Sequence, residues 1–512
     1  MFTSRRRFVR TLGAAAAAIP TARLWADATS AVAGSATLAA VSSTGKPITL
    51  TASDIKDLKG SLKGNLLLAR DPGYDTARRL RNPMFDRHPA LIAQVARSED
   101  VSQVVKFAQA HSLLTAVRGG GHSLSGQSTC DGGVIIDMSY MKDVHVDAQR
   151  KVGRAQGGTL LGELDRQMQD LGLATTLGTA TDTGIAGLTL GGGMGRLMRR
   201  HGLACDNLVS VEVVTADGKI LRASETENAD LFWAVRGGGG NFGVVTAFEY
   251  RLYPLKDKIL DGDCLYPFSK ARELLEIVAE VSAKSPDDLM LGVQMLNLPP
   301  SPGPQPSGRM VALGVTYLGN PADKERVLAP FKKLGQPLDD RIHAKTYLEA
   351  QGAAGTAPIA VPASPGGTRM YIKTGFVQSL EPALLDQAIR TFEAAPSSQM
   401  MVFMMDQVGG AVSRVKSDAT AYWNRQAAFD MMIDSEWMDA AQDQANIQVV
   451  RAAWASVEKY TQGFYVNTEP GADDKRVRGT YGTNYSRLQQ LKTKYDPTNL
   501  FHLNANIKPT GA

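Results

Sequence analysis

Three glycine-rich stretches constrain this chain more than any other feature: "AVRGGGHSLSGQ" (116–127), "LGTATDTGIAGLTLGGGMGRLMRRHGL" (177–203) and "WAVRGGGGNFGVVTAFEYRLYP" (233–254). Glycine loses more backbone freedom on folding than any other residue, so runs of it belong where backbone must approach something closely. One run alone reads as a surface turn. Three together ask for a shared cause. A long, flat, phosphate-bearing ligand lying against several bare turns supplies one, because the N–H groups of turn backbone form anion-binding concavities. The first run also presents a single imidazole, His122, directly after its third glycine.

Simpler nucleotide motifs do not account for them. Residues 238–243, "GGGNFG", satisfy G-x-G-x-x-G, but a dinucleotide fingerprint needs a strand before it and a helix after it. Here "NADLFWAVR" before it is helical in character and "VVTAFEY" after it is a β-branched strand. No G-x-x-x-x-G-K-[ST] occurs. Cys130, Cys205 and Cys264 are the only cysteines and have no zinc-like spacing, so no metal site and no disulfide framework is expected. The net charge of +5 includes a basic N-terminus, and no basic block with interleaved aromatics points to nucleic acid.

"TSRRRFVRTLGAAAAAIPTARLWADA" has a basic head, a short apolar middle and an A-x-A site at Ala26-Asp-Ala28. It reads as a signal peptide over 1–28. Ser4-Arg5-Arg6-Arg7-Phe8-Val9 fits the twin-arginine pattern, an address read by an export machinery that moves folded proteins. No later run is long and apolar enough to span a membrane, so a periplasmic or secreted protein is expected.

At 512 residues the chain exceeds a single core and should form at least two domains. "PALIAQVARSEDVSQVVKFAQAHSLLTAVRGGGHS" reads as strand, helix, strand, glycine turn, and "LVSVEVVTADGKILRAS" as a hairpin turned at Asp217-Gly218. From about 256, strands such as "LMLGVQMLNL" and "QMMVFMMDQVGGAV" alternate with helices such as "ARELLEIVAEVSAK" and "PALLDQAIRTFEAA", which suggests an antiparallel sheet covered by helices. Residues 461–508 return to aromatic and asparagine-rich loops around one helix, "NYSRLQQLKTKY".

"RGGGHS", the 177–203 stretch with its continuation "ACDNL", "RGGGGNFGVVT" and the ending "YGTNYSRLQQLKTKYDPTNLFHLNANI" together resemble the berberine-bridge-enzyme-like flavoproteins, FAD-linked oxidoreductases of the vanillyl-alcohol-oxidase fold. The similarity covers roughly 80–508. It implies an α+β, two-lobed protein: a PCMH-type FAD-binding domain over 50–255, a substrate domain over 256–460 with an antiparallel sheet, and a C-terminal segment, 461–508, returning to the FAD domain. It implies FAD, bonded covalently through His122. The cofactor-binding residues it points to are Arg118, Gly119, Gly120, Gly121, His122, Ser123 and Gly126, then Thr179, Thr183, Gly184, Gly187, Thr189 and Gly192, with Val244 and Asn504. Many relatives add a cysteine bond to flavin C6, eleven residues before the GGG. Counting back from Gly191 gives Ala180, so the chain resembles members attached once, through histidine.

The resemblance also implies hydride transfer from a small-molecule substrate, an organic alcohol, amine or enol-type metabolite, with O2 as electron acceptor and H2O2 as product. A dehydrogenase using another acceptor and a flavin-bearing binding protein without turnover are the alternatives. Such chemistry needs a base within reach of the substrate proton. Sugar-oxidising relatives place a tyrosine at the end of "Y-x-N-Y", where residues 465–468 here read "YVNT" and Thr468 cannot serve. Alkaloid-type relatives use a carboxylate shortly before a tryptophan. In "AFDMMIDSEW", period 2 puts Asp430, Met432, Asp434 and Glu436 on one face. Asp434, three before Trp437, is the expected base, in an apolar surround including Met432 and Phe403; Tyr465 is its rival and Tyr481 a further candidate. The runs "QMMVFMMD" and "FDMMID" could be core or pocket lining. Loops 298–309 and 352–368 are expected to border the entrance.

Overall fold

The computed structural model describes residues 37–298, 307–352, 367–469 and 471–511. The N-terminal signal and most of the two proposed entrance loops lie outside the described residues.

Two sheets carry the first lobe. Leu91–Gln94, Val134–Asp137 and Thr115–Arg118 pair in parallel, with Asn65–Leu67 antiparallel on the outer edge. The helix Ser98–Ala110 makes the crossover and buries Val101, Val104, Val105 and Ala108. A parallel pair needs such a crossover, and it leaves the glycine turn just past the end of Thr115–Arg118. The second sheet is antiparallel, in the order Ile220–Ser224, Leu208–Val214, Val244–Arg251, Val152–Gln156, Val144–Asp147. The lobe starts earlier than residue 50: Thr37–Val41 and Pro47–Thr51 form a hairpin whose Val41 accepts from Leu114 N–H at 2.9 Å.

The second lobe is one eight-stranded antiparallel sheet. Gly308–Tyr317, Leu289–Leu298, Met400–Gln407, Phe429–Trp437 and Arg369–Val377 are neighbours in that order. The helices Ala271–Ser282, Pro382–Ala394 and Asp443–Val457 cover one face; the last of these was not foreseen in the sequence. Their Leu274, Val278, Leu385, Phe392 and Val450 pack with Val293, Met401, Phe403, Met405, Met431 and Ile433 in one core.

The bare face of that sheet meets the first lobe. Thr374 Oγ1 accepts from Tyr465 N–H at 3.0 Å, and Phe376 stands edge-on to Tyr422 with ring centroids 6.1 Å apart. The tail holds two helices, Asp474–Tyr481 and Tyr485–Tyr495, where the sequence suggested one. It is stapled to the third glycine turn: fully buried Lys492 pairs with Asp496 at 2.6 Å and donates to the Asn241 carbonyl at 2.9 Å. Asn241 in turn accepts from Ile507 N–H at 2.9 Å.

Candidate active site

The first two glycine turns touch backbone to backbone. A Cβ on Gly120 would lie 2.6 Å from Gly184 Cα, and one on Gly184 would lie 2.4 Å from Gly120 N. Neither distance is sterically tolerable, so part of the glycine requirement is turn-on-turn packing rather than ligand contact. Other glycines do face open space. A Cβ on Gly187, in the short helix Ile185–Leu190, would meet nothing within 4 Å.

That open space is a cavity of about 380 Å³, in the range of small-molecule and cofactor sites. Its wall includes Gly119, Gly120, Gly121, His122 and Ser123 from the first turn, and Thr179, Thr183, Gly184 and Gly187 from the second. Val244 closes it from the third turn, Asn504 and Tyr465 from the tail. Four of the residues singled out stand behind the wall. Arg118 is tied to Asp137 at 3.0 Å, and Thr189 Oγ1 shares a 2.8 Å bond with Tyr250. Gly126 lies against Phe85 and Gly192 against Tyr422. Ala180 and Thr468 line the cavity, whereas Cys205 is packed behind it among Leu203 and Tyr422. Sequence reasoning passed over Ser128, Gly239, Gly240, Asn467 and Phe501, which also line it; all of them sit in, or within a residue of, stretches already singled out, and only the fold tells wall from support.

His122 is held neutral. Burial first, then the charge of Arg81, push its imidazole down to about 4, partly offset by Asp182. Arg81 pairs with Asp182 at 2.7 Å.

Outside the cavity lining, the sheet face that meets Tyr465 carries a row of carboxyls. Asp430, Met432, Asp434 and Glu436 do share that face, while Met431 and Ile433 point into the helix-covered core. The methionine runs therefore divide: Met401, Met405 and Met431 are core, and Met400, Met404 and Met432 alternate with them on the open side. Phe403 belongs to the covered core, so it does not surround Asp434 as expected.

Asp434 is 6 % exposed and is not part of the cavity wall. Burial, then the neighbouring Glu436, hold its carboxyl well above the usual range. Nearer Tyr465, Asp430 lies directly across the strand pair from Asp406. Burial and the charge of Asp406 raise Asp430 well above the ordinary carboxyl range, and burial pushes Asp406 up to about 6. Asp430 Oδ1 is buried with no hydrogen-bond partner. Tyr465 hydroxyl accepts from the Asn467 amide at 2.9 Å and from Met194 N–H at 3.4 Å, and burial pushes its phenol up to about 12. Tyr481 is buried in the first-lobe core, away from the cavity wall. Thr468 gives its hydroxyl to the Tyr465 carbonyl at 3.0 Å.

The cavity suits FAD by its own features. Open glycine backbone at Gly187, Gly239 and Gly240 allows close approach of a planar or phosphate-bearing ligand. Ser128 Oγ and Asn504 Oδ1, both from wall residues, are buried polar atoms left without a partner.

Known proteins agree with this reading. The family model described as an FAD binding domain matches residues 89–224, and one described as berberine and berberine like matches 464–508. An uncharacterized FAD-linked oxidoreductase of Bacillus subtilis strain 168, YgaK, is 30% identical over 460 residues, covering 88% of this chain and 98% of its own. The crystal structure of 6-hydroxy-D-nicotine oxidase from Arthrobacter nicotinovorans superposes with a TM-score of 0.78 at 27% identity, over 88% of this chain and 98% of that one. Glucooligosaccharide oxidase from Acremonium strictum, whose FAD is described as 6-S-cysteinyl and 8α-N1-histidyl, shares the fold with a TM-score of 0.79 at 23% identity, over 90% of this chain and 100% of its own. Together with the cavity, these similarities establish an enzyme: the chain belongs to the berberine-bridge-enzyme-like FAD-linked oxidoreductases.

Proposed function

We propose that the protein is an oxidase of a small organic alcohol, amine or enol-type metabolite, with FAD bonded covalently to His122. Bound FAD supplies the two-electron acceptor for substrate hydride and hands the electrons to O2 as H2O2. The single observation that carries the reading is the cavity itself: glycine backbone, His122 and Tyr465 share its wall, and Asp430 of the adjoining sheet face acts electrostatically on Tyr465.

The chain's own residues divide the work. The cavity wall holds the substrate beside Tyr465, whose backbone is bonded to Thr374 of the sheet face, and excludes water from it. We assign the base to the Asp406–Asp430 pair rather than to Asp434, because Asp430 is the carboxyl whose charge acts on Tyr465, a residue of the cavity wall. Two carboxyls so close share a proton, which keeps one of them poised near neutral pH to accept the substrate's O–H or N–H proton. Tyr465, already accepting two N–H bonds, has its own proton free to hold the substrate heteroatom. Residues 1–28 direct the folded protein to twin-arginine export, and hence to the periplasm or medium. Among the described residues no helix is long and apolar enough to cross a membrane.

Anaerobic mixing with a metabolite panel tests the reading. A substrate bleaches the flavin band, and air then restores it with peroxide. Slow reoxidation without peroxide would overturn the oxidase and leave a dehydrogenase. His122→Ala should release FAD on acid precipitation, which the unmodified protein should not.

A further inference from the structure

His122 and Asp182 come from different glycine turns and face each other with one atom apiece unused. His122 Nε2 and Asp182 Oδ1 are buried atoms without a hydrogen-bond partner, yet they stand 3.7 Å apart. A shift of under an ångström would make a hydrogen bond between them. The second carboxylate oxygen is occupied: Arg81 donates to Asp182 Oδ2 at 2.7 Å. Arg81 is itself anchored, its backbone N–H donating to the Gly121 carbonyl at 3.0 Å, one residue before His122. The turn bearing Asp182 is equally fixed, since Leu161 N–H donates to Thr183 at 2.8 Å and Gly162 N–H to Thr181 at 2.9 Å. Glu436, on the sheet lobe, also feels the Arg81 charge. The backbone on either side of the carboxylate is thus fixed, while the Asp182 and Arg81 side chains themselves remain partly exposed.

We propose that Asp182 is the positioning residue for covalent flavin attachment, holding the Nε2 proton of His122 so that Nδ1 is free to form the bond, with Arg81 clamping Asp182 in place. This rests on the covalent reading above. A carboxylate behind an imidazole fixes its tautomer and stabilises the cation that forms as the other nitrogen reacts. The neutral state imposed on His122 by burial keeps that nitrogen's lone pair available. In the step, an Nδ1–C8α bond forms as the flavin methyl carbon loses a C–H proton to water and the imidazole loses its Nε2–H proton to Asp182. The two electrons released reduce the flavin ring. Dioxygen is the oxidant that removes them, with two protons, as hydrogen peroxide.

The test follows attachment rather than turnover. Wild type, Asp182→Asn, Asp182→Glu and Arg81→Gln are purified after brief aerobic expression. Total FAD is read by absorbance, and the covalent share by flavin fluorescence on a denaturing gel after acid precipitation, over time and pH. Asp182→Asn should bind FAD at wild-type occupancy but attach it about 10²–10⁴-fold more slowly, the usual cost of losing a proton acceptor. Its residual rate should climb with pH as hydroxide replaces the carboxylate, and Asp182→Glu should recover part of the rate. A purely structural role would not produce that pH profile. Wild-type attachment speed in Asp182→Asn would overturn the proposal. Should that variant fail to accumulate, Arg81→Gln decides: slowed attachment supports the clamp, and an unchanged rate overturns it. Wild-type protein that releases its flavin in acid would instead sink the covalent reading itself.

Discussion

The cavity wall and the sheet face beside it, the two walls of the site, are made of different material. The turn wall is backbone: Gly120 and Gly184 interlock with no room for a methyl, and Gly187 leaves bare helix facing open space. The sheet wall, behind the cavity lining, is side chain: Asp406, Asp430, Asp434 and Glu436 project from strands that are hydrogen-bonded to each other throughout. A backbone wall fits whatever shares one rigid scaffold, and a side-chain wall can change residue by residue without disturbing its strands. The first material is suited to a fixed cofactor and the second to a varying substrate. Each wall should therefore fail in its own way when altered.

The largest effect is expected where turns interlock. Gly120→Val would drive a branched side chain into Gly184 backbone and should abolish both FAD retention and accumulation of folded protein. Gly187→Val should separate the two jobs of glycine. Nothing within 4 Å opposes its side chain in the folded protein, so thermal unfolding without added FAD should be little changed, while flavin content falls sharply. Equal flavin content in Gly187→Val and wild type would break the distinction between packed and open glycines.

Next come the carboxyls. Asp430→Asn should slow anaerobic flavin reduction by about 10²–10⁴-fold, the range for a lost general base, with FAD content unchanged. Asp434→Asn, whose carboxyl neighbours Glu436 rather than Tyr465, should cost much less. The reverse order would return the base to Asp434, and a stall confined to Tyr465→Phe would assign it to the phenol. Because the base must be ionised, reduction should speed up as pH rises through about 6, the value to which burial pushes Asp406, and level off above it. Stability runs the other way. A carboxyl raised in the folded state contributes stability below its unfolded value, near 4, and loses it as pH climbs through the folded one. Asp406→Asn should accordingly be slower in reduction yet less destabilised than wild type between pH 6 and 8, a trade common at functional sites.

The contrast between walls also explains what could be read without a structure. The turn wall was legible because glycine runs, a following histidine and flanking strands are local patterns, and eleven of the residues named for it, Gly119 to Asn504, do meet in one cavity. Period 2 likewise placed Asp430, Asp434 and Glu436 on one face. Which of them matters depends on cross-strand partners: Asp406 meets Asp430 only through the register of Met400–Gln407 against Phe429–Trp437. Phe403 was assigned to the wrong face for the same reason, since alternation along one strand does not say which side the helices cover. Arg81 and Asp182 left no local signal at all; their pairing spans two distant turns.

The smallest predicted effect lies where the two walls meet. Asp165, fully buried beneath the second turn, accepts from Gln351 Nε2 at 3.0 Å, and the same amide donates to the Gly178 carbonyl at 2.9 Å in the cavity wall. Its other oxygen has no partner, and burial pushes the carboxyl up to about 7, with Gln351 and then Arg196 partly offsetting. The proton is thus held at mildly acid pH and released above it. Stability from this group is complete below about 4 and drains away as pH rises through about 7. Asn at 165 keeps an oxygen for Gln351 and carries no charge, so Asp165→Asn should flatten the fall in Tm between pH 6 and 8 by a few degrees while leaving the reduction rate alone. Parallel Tm curves for the two proteins would mean that the junction does not titrate. A changed reduction rate would mean that the backbone wall answers to a side-chain charge after all, and the division between the walls would have to be redrawn at Gly178.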